Sequence, residues 1–220
     1  MKLPIDHLVY ATVDLDSTVV ELAERMGVRA SPGGQHVGRG THNALAHLGG
    51  RTYLEIIGPD PSQNMPSGTA LPFGIESMTE AGLAWYALAC SDLTATVDAV
   101  RAAGLSAGTP LGMQRARPDG VLLRWELASH AEIPDGGAVP FLIDWLDSPH
   151  PSADTPRGCT LIALEVRHPE PERIRRHLEL LAQHCAGDPQ RADPEVNVVE
   201  ADEARLVARI DTPRGVITLS

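Results

Sequence analysis

The sequence predicts an α+β fold built from three successive βαβββ units. Strand-like runs outnumber helical ones, and most neighbouring strands are joined by hairpin-length turns, so the sheet is mixed or mainly antiparallel. Repetition supplies the rest: one order of elements, a strand, a helix and three strands, recurs along the chain.

The first unit opens with IDHLVYATVDL, a strand of β-branched and aromatic residues. DLDSTVVELAERMG follows as a helix, capped by Asp14 or Asp16 and stopped by Gly27, with Val19, Val20, Leu22 and Met26 at helical spacing. A glycine-rich stretch, SPGGQHVGRGTHN, reads as a mobile lip from which His36 and Asn43 reach toward a ligand. The strands THNALAHLG and TYLEIIG complete the unit across Gly49-Gly50.

The order then repeats. GLAWYALACSDL is a strand, and SDLTATVDAVRAAG is a helix capped by Ser91 or Asp92 and stopped by Gly104. TPLGMQRARPDG, VLLRWELASH and VPFLIDWLD are strands, the first two joined by Pro-Asp-Gly. The third unit reads CTLIALEVRHP, the helix PEPERIRRHLELLAQHCAG, then EVNVVEA, ARLVARIDT and GVITLS. Joins rich in Pro, Gly and Ser lie near Pro61 to Glu80 and Ser148 to Gly158, giving units at 1–61, 80–151 and 158–220.

Bulk composition narrows the function classes. At 220 residues, with 43% hydrophobic and 21% charged residues, the chain can bury a real core and is not a disordered sequence. A formal net charge of −11 argues against nucleic acid or an anionic membrane as partner. Cys90, Cys159 and Cys185 are too few and too scattered for a disulfide framework or a cysteine zinc site, and read as core-filling thiols. No signal-length or membrane-length apolar run is seen, so a soluble cytoplasmic protein is expected. No dinucleotide fingerprint, phosphate loop, G-x-S-x-G elbow or H-E-x-x-H helix is present, and no nucleotide cofactor is expected.

The chemistry-bearing residues stand in the strands. Glu55 sits among Tyr53, Leu54, Ile56 and Ile57, where an ionised group needs a partner. Alternation places Tyr53, Glu55 and Ile57 on one face of their strand, and Ile5, His7 and Val9 on one face of the first. From the residues alone, His7 donates to Glu55 in a buried polar pair. Arg115, Arg117 and Arg124 lie on facing strands; either surface acids pair with them or a substrate carboxylate or phosphate lies between. Trp85, Trp125 and Trp145 wall an apolar pocket or fill the core. His168, His177 and His184 read as a solvated helix face, and His130 and His150 as loop residues without a role.

The βαβββ repeat, with a His in the first strand and a Glu in the last, resembles the vicinal oxygen chelate superfamily. GTHNAL, YLEIIGPDP, RARPDGVLLRW and PFLIDW resemble, more narrowly, its glyoxalase-like domain group. The resemblance implies that two modules close into a cup-shaped sheet, with a third, C-terminal half-module appended. It implies metal ligands at His7 and Glu55, and, by setting YLEI against LIDW, at Asp144. An offset of 78 residues sets His7 against Trp85, which cannot ligate; His42 or His47 replaces the missing ligand if it points inward. A divalent ion (Mn, Mg, Fe, Ni or Zn) is then implied, with an oxygen-rich set suiting Mn²⁺, Mg²⁺ or Fe²⁺ best.

Two functions follow from the resemblance. One is a metal-dependent lyase or isomerase acting on a small oxygenated molecule, with Glu55 as catalytic base and Asn43, Trp85, Arg115, Arg117, Arg124 and Trp125 contacting substrate; a dioxygenase fits the ligand set less well. The other is a metal-free protein that sequesters a small ligand in the same cup. An unpaired third unit leaves sheet edges to be covered, by the cup or by a second copy in a homodimer.

Overall fold

The first strand, β1 (Ile5–Ala11), is buried along its whole length. Such a strand needs sheet neighbours on both sides and layers on both faces, and its apolar sequence IDHLVYA suits that position. The computed structural model in which it lies describes residues 1–66, 68–117, 120–185 and 193–220. Helix α1 (Leu15–Met26) begins where the Asp14 side chain accepts from the Ser17 backbone N–H and ends at Gly27, whose φ of 73° only a glycine adopts freely. Three strands follow, β2 (Ser31–His36), β3 (Thr41–His47) and β4 (Tyr53–Pro59).

The glycine-rich lip is corrected here: SPGGQH is a strand. Its position at the sheet edge explains how so weak a β-former pairs, because an edge strand packs on one side only. Gly33 is also required sterically, since a Cβ there would collide with the Asn43 side chain.

The second unit contains β5 (Gly82–Ala89), α2 (Leu93–Ala102), β6 (Thr109–Ala116), β7 (Leu122–Ser129) and β8 (Phe141–Asp144). Asp92, not Ser91, caps α2 by accepting from the Ala95 N–H. The Pro-Asp-Gly turn between β6 and β7 falls at 118–119, outside the described residues.

These eight strands form one sheet in the order β2-β3-β4-β1-β5-β8-β7-β6. Each module pairs its first and last strands in parallel, and β1 meets β5 antiparallel at the seam. Helices α1 and α2 pack on the outer face, while β2 and β6 come into contact across the open end, so the sheet curls into a half-barrel. At the seam His7 pairs with Ala87 and Val9 with Trp85, which makes His7 and Trp85 pseudo-twofold equivalents and supports the offset of 78.

The third unit contains β9 (Thr160–His168), α3 (Pro171–His184), β10 (Glu195–Glu200), β11 (Arg205–Thr212) and β12 (Gly215–Leu219). Its elements follow the repeated order, but its strand order is β10-β9-β11-β12. The strand after the helix lies parallel beside the first strand instead of crossing to the far edge. This small sheet packs on the cup of its own chain. The Met1 amino group donates to the Val196 carbonyl at 2.9 Å, Leu161 N–H to Leu48 O at 2.8 Å, and Arg173 grips Asp135 at 2.6 and 3.1 Å. Burial also corrects the expectation of a solvated histidine face: His168 and His177 are buried, His168 accepting from the Glu170 N–H that begins α3. The three cysteines are buried and free. Among the described residues no helix is long and apolar enough to cross a membrane.

Leu8, fully buried at the seam between β4 and β5, tests the dependence of the cup on this packing. Leu8→Ala is expected to cost about 2–5 kcal/mol of unfolding free energy, read by urea denaturation, because a closely packed sheet cannot collapse onto the space left behind.

Candidate functional site

Strand alternation turns every second residue of the curled sheet inward, and the inward residues enclose a cavity of about 570 Å³. Its two walls differ in kind. The first module contributes His7, His36, Asn43, Tyr53 and Glu55; the second contributes Trp85, Trp125, Phe141, Trp145 and Arg115. The first join, expected only as a linker, closes one side with Leu71, Pro72 and Phe73, whose ring meets Trp85 edge-on at 6.3 Å.

Glu55 is the centre of the polar wall. The Asn43 amide donates to its Oε1 at 2.5 Å, His36 Nε2 lies 3.5 Å from the same oxygen, and His7 Nε2 lies 3.6 Å from Oε2. His36 hydrogen-bonds through Nδ1 to the Thr41 hydroxyl at 3.0 Å. Burial lowers the pKa of His36, Glu55 opposing and Arg115 reinforcing the shift, so its neutral form is favoured. Tyr53 stacks on His7 at 4.8 Å, and burial, aided by Asp6 and Glu55, raises its phenol well above its ordinary value.

His7 is fixed from behind by Asp6, its neighbour in β1, which regular alternation would turn to the opposite face. The register between β1 and β5 shifts between Ile5 and His7, so Asp6 is the extra residue of a β-bulge and alternation fails there. Asp6 is fully buried and accepts from three groups: His7 Nδ1 at 2.7 Å, His150 Nε2 at 2.9 Å and the Trp145 indole at 3.2 Å. Burial favours the neutral acid, but hydrogen bonds from His150 and His7 outweigh it and hold this carboxyl below the usual range. His150, given no role from sequence, therefore belongs to the support of the site.

Asp144 does not join His7 and Glu55. It lies between the inward-facing Ile143 and Trp145 on β8 and turns to the other face, where its Oδ1 accepts from the Leu146 N–H at 2.9 Å. The register gives the reason. Val9 pairs with Glu55 and its equivalent Ala87 pairs with Phe141, so the position matched to Glu55 is Phe141, three residues before Asp144. His42 and His47 do not supply the missing ligand either: Thr41, Asn43 and Leu45 are the inward residues of β3, and both His47 ring nitrogens bond to the Gly49–Gly50 turn. The arginines separate in the same way. Arg115 lines the cavity, Arg117 pairs with Asp154 at 2.6 Å, and Arg124 is exposed on the face opposite Trp125.

The donor set therefore does not fit the divalent ion that the resemblance implies. Two of the four pseudo-twofold positions hold His7 and Glu55; the other two hold Trp85 and Phe141, whose rings pack at 4.9 Å. The polar edge of Trp85 is already spent on the Val139 carbonyl at 2.6 Å. Among the described residues no group of three or more His, Cys, Asp or Glu is arranged to hold a metal.

Asp6→Asn leaves three donors facing one acceptor and no charge, and is expected to lower stability at neutral pH by about 3–5 kcal/mol in urea unfolding. Because the folded carboxyl is held below its unfolded value, its contribution is complete above that value and is lost as pH falls below it. The stability gap between wild type and Asp6→Asn should thus close only below about pH 4.

Comparison with known proteins agrees with the fold. The family model of the glyoxalase-like domain matches residues 5–182. No curated protein matches the sequence. A hypothetical protein from Staphylococcus aureus superposes with a TM-score of 0.67 at 13% identity, covering 97% of each chain, which shows a shared fold and nothing about chemistry. Methylmalonyl-CoA epimerase from Mycobacterium tuberculosis gives 0.46 at 17% identity over 68% of this chain and 91% of that one. A Streptomyces coelicolor methylmalonyl-CoA epimerase variant in complex with 2-nitronate-propionyl-CoA gives 0.46 at 20% over 66% and 98%. The family match spans both modules of the cup and runs into α3, so the chain belongs to the glyoxalase-like domain family of the vicinal oxygen chelate superfamily.

Proposed function

We propose that this chain is an enzyme that moves a proton on a small oxygenated organic molecule in the cup, with His7 and Glu55 working as an acid–base pair without a resident metal. The asymmetry of the four equivalent positions carries this reading: two groups that exchange protons face two aromatic rings that cannot ligate.

The pair is chemically coherent. With Nδ1–H donating a hydrogen bond to Asp6, neutral His7 presents a lone pair at Nε2 toward Glu55 Oε2 at 3.6 Å. One proton serves the pair: whichever group holds it is the acid, and the other is the base. Glu55 in its ionised form takes a proton from a carbon beside a substrate carbonyl. His7 in its protonated form donates to the oxygen on which charge develops, and the return of both protons completes an isomerisation. The aromatic wall keeps water from the reacting carbon, which strengthens these electrostatic contacts. Tyr53 stays protonated throughout, as its raised pKa requires.

One observation favours the binding-protein reading instead. Trp85, Phe141, Trp125 and Trp145 form a continuous apolar wall suited to holding a ligand without transforming it. A homodimer is also part of the expectation, and its check is the solution mass by light scattering; a monomeric mass at micromolar concentration ends it.

The deciding measurement is proton NMR of small aldehydes, ketones and carboxylates in D₂O with catalytic protein. Loss of the signal from hydrogens beside the carbonyl is expected, unaffected by chelator, and slowed about 10²–10⁴-fold by Glu55→Gln or His7→Gln. Exchange that requires added divalent metal would overturn the metal-free reading. No exchange on any compound, with ligand binding intact, would favour sequestration.

A further inference from the structure

Arg115 lies on β6 at the edge of the sheet, where a guanidinium normally reaches water, yet it is only 5% exposed. Alternation along β6 turns it into the cup with Leu111 and Met113. There its Nη1 has no hydrogen-bond partner among the described residues. A buried donor on a permanently charged group is expensive to leave unmet. Burial works against its charge; Glu55 favours it from a distance and Arg117 opposes it. The cation is therefore desolvated and aimed into an enclosed space without a direct acceptor.

We propose that the cup takes a monocarboxylate with an apolar body the size of an aromatic ring. A carboxylate oxygen accepts from Arg115 Nη1, and the body lies against Trp85, Trp125 and Phe141. Charge selects the monoanion over a phosphate ester. Arg115 is the buried permanent cation of the cavity, with Arg39 exposed at its rim, and it already shares its field with Glu55, so a dianion held at Arg115 would leave buried negative charge uncompensated. The inference rests on the cup being the working site of the proton-transfer reading, but it is read by binding and not by turnover.

All three tryptophans of the chain line the cavity, so intrinsic fluorescence reports occupancy directly. The experiment titrates the full chain with phenylacetate, its neutral isostere phenylacetamide, and phenyl phosphate. Phenylacetate is expected to bind at least about tenfold more tightly than the amide, the scale of one charge-assisted hydrogen bond. Arg115→Met should erase that preference by weakening the acid more than the amide, with an unchanged circular dichroism spectrum showing that the variant is folded; Arg115→Lys should restore part of it. Glu55→Gln should keep it. Equal affinity for acid and amide in the wild type would overturn the proposal, as would an undiminished preference in Arg115→Met. Tighter binding of phenyl phosphate than phenylacetate would overturn the monoanion assignment. A carboxylate preference in a protein that exchanges no proton would keep this inference and remove the proposed reaction.

Discussion

A single buried carboxylate holds the site together. Asp6 is shut off from water and keeps its charge only because three donors converge on it, one from β1, one from the residue after β8 and one from the join to the third unit. Each donor is thereby fixed in turn. His7 is oriented toward Glu55, Trp145 is held in the aromatic wall, and His150 anchors the chain as it leaves the cup. An ionised group in an apolar interior is tolerable only when its hydrogen-bonding capacity is met, so the three segments cannot move independently without exposing that charge. The bulge at Asp6 makes the arrangement possible, because a regular strand would point adjacent side chains to opposite faces.

The seam between β1 and β5 relates two modules of similar backbone and opposite chemistry. One wall offers imidazoles, an amide, a carboxylate and, at its rim, the Arg39 guanidinium; the other offers indoles, a phenyl ring and the buried Arg115 guanidinium. Such a division suits a ligand with a polar end and an apolar body, which meets each wall with the matching part. It also sets the local dielectric. Charged groups beside apolar rings interact more strongly than they would in water.

The fold of the cup was legible because its two helices carry their own punctuation. Asp14 and Gly27 bound α1, Asp92 and Gly104 bound α2, and the β-branched runs between them became strands. Inward placement of His7 and Glu55 followed from period-two alternation, whereas Asn43 was expected on a lip and Arg115 was left between a ligand and surface acids. What failed was register. The hairpin between β3 and β4 is short, whereas the connection from Ser129 to Phe141 makes a longer excursion, so matching the phrase YLEI to LIDW slipped the second module and put Asp144 where Phe141 stands. The bulge was invisible for a related reason: an extra residue changes hydrogen bonding, not composition. The role of His150 was hidden because its partner is distant in sequence and no local signal marks it. The third unit shows the same limit, since an identical order of elements was compatible with two strand orders.

The pairing of Trp85 with Phe141 has a historical consequence. A symmetric chelating set would need new ligands at both positions, and neither change helps alone. An imidazole or carboxylate placed singly against the remaining ring would be a polar group buried without a partner, and the lost ring would leave a void in the wall. Each intermediate is therefore less stable than either end point, and selection acting one substitution at a time meets a barrier in that direction. With both rings in place, the two positions contribute packing to the wall and not coordination.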